Sequence, residues 1–309
     1  MRKNIFPKSL KKGDKIAVIS PAGAVDALQL EKGIKMIKDK GFEPVLGEHL
    51  YAKYSNGYNY AGTEKERIKD INWALNDKEI GAIWASRGGY GCQHLIQHLK
   101  LKGFTENPKW YIGYSDNTVI QSYLLKKGFV SVHGQTIKTS SFGVTEESYD
   151  LIFDILKGKS PKYSLKPHHF NKEGNIEGEL IGGNLALIYA LLGTKYSFDF
   201  KGKILFIEDI GENFYALDRM IMSLELAGVF NTIKGLIVGG MTNMGDEKDN
   251  KNYEESFDQF AYKLISERIS KYKFPVVFGF PNGHIKDNRP LLIGGKAKIK
   301  MDSKVKIEF

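Results

Sequence analysis

The sequence predicts an α/β protein, with an N-terminal parallel-sheet α/β domain followed by a C-terminal β-rich α+β domain. Three observations carry this prediction. Up to residue 134, short apolar runs alternate with stretches of helical periodicity, the pattern of a parallel sheet covered on both faces. Glycine-bearing turns follow the apolar runs, where open α/β sheets bind ligands at the carboxyl ends of their strands. After Gly134 the composition turns polar, and apolar runs return near Ile176. The expected boundaries are 1–140 for the first domain, 141–175 for a connecting segment and 176–309 for the second domain.

The elements follow in order. Lys15-Ile-Ala-Val-Ile-Ser20 has a buried-strand pattern and ends in the turn Pro21-Ala-Gly23. Residues 26–40 place Leu30, Ile34 and Ile37 on one helical face. Thr63 and Glu66 have capping-box spacing at the head of a helix with Ile68, Ile71 and Leu75 inward. Ile80–Ala85 is a strand, Arg87-Gly-Gly-Tyr-Gly91 a turn, and a short helix runs through Leu95. Trp110–Tyr114 is another strand, followed by a helix with Val119, Ile120, Tyr123 and Leu124. Residues 135–176 are polar and turn-rich, with one helical stretch near Tyr149–Leu156. The second domain mixes a glycine-bearing helix, Gly183–Leu192, with strands at 203–208, 235–239, 275–279 and 297–301.

Composition narrows the function classes. The chain of 309 residues is 42% hydrophobic and 26% charged, enough for a substantial core and unlike a disordered segment. Its net charge of +9 comes mostly from lysines scattered in ones and twos. There is no basic block with interleaved aromatics, so nucleic acid is not an expected partner. An acidic small substrate is compatible with the positive field. No apolar run approaches the roughly 18 residues that cross a bilayer, and the basic start Met1–Pro7 has no signal-peptide core behind it. Cys92 is the single cysteine, so no internal disulfide forms. Cytoplasmic residence is the expectation.

Gly113-Tyr-Ser-Asp-Asn117 is the first chemical motif. An apolar strand runs into Ser115 and a helix starts at once, which is the geometry of a nucleophile elbow. The helix N-terminus presents free N–H groups, among them that of Asp116, toward a developing oxyanion. Read from spacing alone, Ser115 serves equally well as a helix cap. The last glycine of the usual G-x-S-x-G pattern is also replaced, by Asn117.

Ser86-Arg-Gly-Gly-Tyr-Gly91 is the second motif. Its glycines let backbone approach a ligand, but G-x-G-x-x-G is not matched, and no dinucleotide cofactor is expected. The turn is better placed as the second half of an oxyanion site opposite Ser115. Arg87 is a candidate partner for a substrate carboxylate. Cys92, at the start of a helix, is the rival nucleophile.

Ser115 needs a base and an acid to orient it. His94 and His98 have i, i+4 spacing, but no further ligand accompanies them, and no metal is expected. His168 and His169 fall in the polar connection. His133, at the end of a strand, and His284, in the turn Pro-Asn-Gly-His, compete for the role of base. Lys203–Asp209 is a buried strand ending in two acids. Neighbours on a strand point to opposite faces, so only one of Glu208 and Asp209 can serve a given cleft.

Taken together these segments resemble the LD-carboxypeptidases, the muramoyltetrapeptide carboxypeptidase group that includes microcin-immunity peptidases. The matching pieces are Gly13–Gly23, Arg87–Gly91, Gly113–Thr118, Gly182–Leu185, Ile207–Glu212 with Leu217-Asp-Arg219, and Gly283-His284 with Asn288 and Pro290. They stand in family order and span nearly the whole chain. The resemblance implies a Ser–Glu–His triad at Ser115, Glu208 and His284, which resolves both pairs left open above. It implies an oxyanion site from the backbone N–H of Asp116 and of Gly88 or Gly89. It also implies a metal- and cofactor-independent enzyme, commonly dimeric, that releases terminal D-alanine from cytosolic murein tetrapeptides in peptidoglycan recycling. Two rivals stay open. One is a microcin-immunity-type peptidase acting on peptidyl or aminoacyl nucleotides; the resemblance implies a longer insertion between nucleophile and carboxylate in that group. The other is a non-catalytic module holding phosphate or nucleotide at Gly88–Gly91.

Overall fold

A computed structural model describes residues 3–245 and 257–309; Met1 and Arg2, the start of the basic N-terminal run, lie outside them. The first sheet is built from β1 (Lys15–Ile19), β2 (Glu43–Leu46), β5 (Ile80–Ala85), β6 (Trp110–Gly113) and β7 (Ser131–His133). The two short strands β3 (Tyr54–Ser55) and β4 (Asn59–Tyr60) form a separate antiparallel pair. In space the five larger strands run β7-β6-β5-β1-β2, all parallel. The side chains of β1, β5 and β6 are buried on both faces, whereas the edge strand β2 is largely exposed. Ile16 and Val18 of β1 enter one core with Trp84 and Ile112, whereas Ala17 and Ile19 enter the other with Ile83 and Tyr111. That two-sided burial explains why the central strands β1, β5 and β6 carry apolar runs rather than alternating ones.

The helices fall where periodicity and caps place them. Helix Ala27–Asp39 buries Leu30 and Ile37, and helix Glu64–Asn76 buries Ile71 and Leu75. At the second helix the Thr63 Oγ1 accepts from the Glu66 N–H at 3.4 Å, and the Glu66 carboxylate accepts from the Thr63 N–H at 2.7 Å. Such a cap contributes about 1 kcal/mol.

The second sheet contains β8 (Lys162–Leu165), β9 (Ile176–Asn184), β10 (Ile204–Ile210), β11 (Gly235–Thr242), β12 (Val276–Phe278), β14 (Lys296–Met301) and β15 (Val305–Glu308). The order is β12-β11-β10-β9-β14-β15-β8. The four strands from β9 to β12 are parallel, and β14, β15 and β8 extend the sheet antiparallel. This mixed sheet with its helices is the β-rich second unit the sequence predicts.

Three local expectations are corrected. The polar stretch 141–175 contributes to both sheets' surroundings: helix Glu146–Leu156 packs Tyr149, Ile152 and Phe153 into the first core, and β8 edges the second sheet. β13 (Leu291–Ile293) turns back to pair antiparallel with β7, so a late segment completes the first sheet. The helix expected from Gly183 begins at Leu185, because Gly182 and Gly183 belong to β9. A Cβ on Gly182 would stand 1.9 Å from the Phe206 carbonyl oxygen, so only glycine lets β9 run that close to β10.

Candidate active site

β6 ends at Gly113 and the chain turns at once through a 3-10 turn, Ser115–Asn117, into helix Thr118–Lys126. Ser115 sits in the left-handed region, with φ at 61°. A side chain there costs about 1 kcal/mol or more. Asn117 replaces the missing glycine by packing over Gly113: a Cβ on Gly113 would stand 2.7 Å from the Asn117 Cγ. The Asn117 amide donates to the Tyr114 carbonyl at 3.0 Å and its oxygen accepts from the Tyr111 hydroxyl at 2.6 Å. The sharp turn is therefore held from within.

The glycine turn lies against it. A Cβ on Gly88 would come 2.9 Å from the Ser115 Cβ and 3.0 Å from its Oγ. Gly89 has φ at 111° and lies under the Tyr58 hydroxyl. Just before the turn, the buried Ser86 Oγ shares a hydrogen bond of 2.6 Å with the Ser20 Oγ, joining the ends of β5 and β1. The buried Asp116 carboxylate accepts from the Cys92 N–H at 2.8 Å, locking the Ser115 turn to the helix that follows the glycines. Burial raises the Asp116 pKa to about 6, against the opposing pull of that hydrogen bond.

Glu208 and Asp209 end β10 on opposite faces, as strand geometry requires. Asp209 accepts from the Asn184 amide at 2.8 Å and from the Ala186 N–H at 2.9 Å, fixing the start of helix Leu185–Leu191. Burial and the Glu208 charge push it up to about 7. Glu208 turns the other way, and its Oε2 stands 2.9 Å from the His284 Nδ1. A carboxylate only accepts, so Nδ1 carries the proton and Nε2 is the basic nitrogen. Burial opposes charge on both partners, but their mutual attraction outweighs it: the His284 pKa is raised and the Glu208 pKa lowered.

The loop before His284 is built for this contact. Gly283 has φ at 127°, and a Cβ there would meet the Glu208 Oε2 at 2.9 Å. The buried Asn288 donates to the Gly283 carbonyl at 2.6 Å, and the buried Asn282 donates to the Arg289 carbonyl at 2.7 Å. His284 packs its ring 4.7 Å from that of Tyr114.

Ser115 and His284 line one cavity of about 490 Å³, together with Arg87, Gly88, Gly89, Lys138 and Phe142. Among the described residues no hydrogen bond links Ser115 to His284 here; such contacts often tighten only with substrate bound. The structure thus brings together Ser115, Gly88, Gly89, Arg87 and His284, with Glu208 directly behind the histidine.

The other candidates do not line this cavity. His133 is fully buried, held by the Gln121 side chain at 3.1 Å, with Nε2 4.0 Å from the Glu208 Oε1. Burial lowers its pKa to about 4. Cys92 is fully buried in a core with Ile71 and Leu95, and burial followed by the nearby Asp116 charge pushes its thiol up. Those surroundings suppress the thiolate that a helix start was expected to favour. His94 is in a four-residue helix and His98 in a following 3-10 turn, and among the described residues no three metal-ligating side chains cluster. His168 stacks on His169 and Phe170.

Sequence reasoning missed Lys138 and Phe142. Lys138 lies within the 3-10 turn Ile137–Ser141 and Phe142 directly follows it, in a stretch that reads as polar and turn-rich. The turn's single buried aliphatic side chain, Ile137, was the only signal.

A model of the LD-carboxypeptidase N-terminal domain matches residues 16–134, and the C-terminal domain model of the same family matches residues 177–299. A probable murein peptide carboxypeptidase of Bacillus subtilis (strain 168) is 31% identical, over 98% of this chain and 94% of its own length. The microcin C7 self-immunity protein MccF of Escherichia coli is 27% identical, over 94% of this chain and 92% of its own. The crystal structure of a muramoyltetrapeptide carboxypeptidase from Oxalobacter formigenes matches with a TM-score of 0.82 at 28% identity, covering 95% of this chain and 98% of that one.

Proposed function

The chain belongs to the LD-carboxypeptidase family, and we propose that it is a serine peptidase that releases terminal D-alanine from cytosolic murein tetrapeptides. The observation that carries this reading is the placement of Ser115. It is held at a left-handed φ on the wall of one cavity with His284, whose far ring nitrogen is bound by the buried Glu208.

In the reaction, His284 Nε2 takes the proton of Ser115 as its Oγ attacks the scissile carbonyl. The backbone N–H groups of Asp116 and of Gly88 or Gly89 hold the oxyanion. His284 then protonates the departing D-alanine amine, and water, deprotonated by the same nitrogen, releases the acyl group. Glu208 keeps the Nδ1 proton in place and stabilises the imidazolium that forms at each step. Arg87, on the cavity wall, is the candidate for the substrate's terminal carboxylate.

A second reading is cleavage of an aminoacyl or peptidyl nucleotide, supported by the similarity to the microcin self-immunity protein. Mass spectrometry separates the two. Incubation with a murein tetrapeptide should remove one alanine, and incubation with an aminoacyl sulfamoyl or phosphoramidate nucleotide should leave the nucleotide intact. Cleavage of the nucleotide alone would reverse the assignment, and binding without turnover of either would favour a non-catalytic module.

A further inference from the structure

Two cations share the wall of the catalytic cavity, and nothing acidic on that wall balances them. Arg87 and Lys138 both line it, and the lining contains no aspartate or glutamate. Among the described residues neither side chain comes within 4.0 Å of a carboxylate. Both are half-buried. A partly desolvated cation without a counter-charge is costly unless a ligand supplies one.

The two are also fixed with respect to each other. The Lys138 N–H donates to the Ser86 carbonyl at 2.8 Å, which seats the 3-10 turn Ile137–Ser141 on the residue before Arg87. The Arg87 guanidinium donates through Nη1 to the Ala24 carbonyl at 3.0 Å, and its Nε and Cζ pack against Gly23. Lys138 lays its ammonium 5.3 Å from the centre of the Phe142 ring. Burial and then the neighbouring Arg87 charge lower the Lys138 pKa, and the more distant Asp26 carboxylate only partly offsets them.

We infer that Lys138 and Arg87 form a two-cation seat for a substrate carboxylate, with Lys138 as a binding residue that sets specificity for acid over amide. This rests on the proposed peptidase reaction. A peptide of that class offers a carboxylate at its C-terminus and, where its third residue is diaminopimelate, a second one on that side chain. An arginine fork and a point-charged lysine can take one carboxylate between them or divide two.

The test compares kcat/KM for four tetrapeptides, with free or amidated C-terminus and with free or amidated third-residue side chain, in the wild type, Lys138→Met and Lys138→Arg. The wild type should prefer the free acid at one position by about 10- to 100-fold, the usual worth of a hydrogen bond to a charged group. Lys138→Met should erase that preference, mainly through KM, and Lys138→Arg should restore most of it. Loss of preference at the C-terminus identifies the terminal carboxylate as the occupant, and loss at the side chain identifies the other. A Lys138→Met enzyme that cleaves with the wild-type preference at both positions overturns the seat while leaving the peptidase reading intact. A folded wild type that cleaves none of the four overturns both.

Discussion

Glu208 presents its Oε2 to the Nδ1 of His284 at 2.9 Å, from a fully buried strand end, while the imidazole reaches into the cavity with a side chain 16% exposed. The pairing makes the histidine a stronger base than it would be alone. Because the general base must be neutral, the acid limb of the kcat/KM profile should lie above the ordinary histidine value of about 6.5. In Glu208→Gln the charge is gone but the burial persists, so the limb should fall below that value while the plateau rate drops by up to about 10⁴. An unshifted limb in the variant would remove Glu208 from the mechanism.

The same pair has a signature in stability. The raised His284 pKa stabilises fully below its unfolded value and the gain is lost as pH rises through the folded one. The lowered Glu208 pKa stabilises above its unfolded value and the gain is lost as pH falls through the folded one. Thermal unfolding of the wild type against His284→Gln should therefore show the largest difference between about pH 4.5 and 6.5, narrowing on both sides.

Ser115 pays a backbone cost for its position. Ser115→Gly should abolish turnover yet raise stability by about 1 kcal/mol, since glycine adopts a positive φ freely. Ser115→Ala should abolish turnover with no such gain. Equal stability of the two variants in urea would mean that the turn carries no strain.

Gly88 leaves no space for a side chain beside Ser115. Gly88→Ala should lower kcat by about 10²–10³, the range for a disturbed oxyanion site, and lower the unfolding temperature as expected for an overpacking cost of about 1–3 kcal/mol. Wild-type kcat in this variant would place the oxyanion donors elsewhere.

Cys92 is a core side chain. Cys92→Ala should keep wild-type turnover while losing about 1 kcal/mol of stability, and thiol reagents should not inactivate the native wild type. Rapid inactivation that Cys92→Ala prevents would reopen the rival nucleophile.

Much of the fold was legible because two-sided burial leaves an unmistakable trace. Strands β5 and β6, and β1 after Lys15, carry no charged side chain, and the capping box at Thr63 and Glu66 announces its helix. β13 was not legible: three residues, Leu291–Ile293, give no period, and their pairing with β7 is decided by long-range contacts. The turn at Ser115 was readable as a strand-to-helix junction, but its left-handed φ depends on how Asn117 packs over Gly113. His133 and His284 could not be ranked by spacing, and the structure shows why. Both approach the same carboxylate, one through Oε1 at 4.0 Å and the other through Oε2 at 2.9 Å. Only the surroundings tell them apart, His133 being sealed in the core and His284 open to the cavity. Lys138 was hidden by its sequence neighbours, Thr139, Ser140 and Ser141, which look like any polar loop.

The central claim is that Ser115 is the nucleophile. Its most direct measurement is the kcat/KM for D-alanine release from a murein tetrapeptide, in the wild type and in Ser115→Ala shown to be folded by circular dichroism. The account predicts a loss on the order of 10⁴–10⁶. A variant that retains activity within about tenfold of the wild type would contradict it.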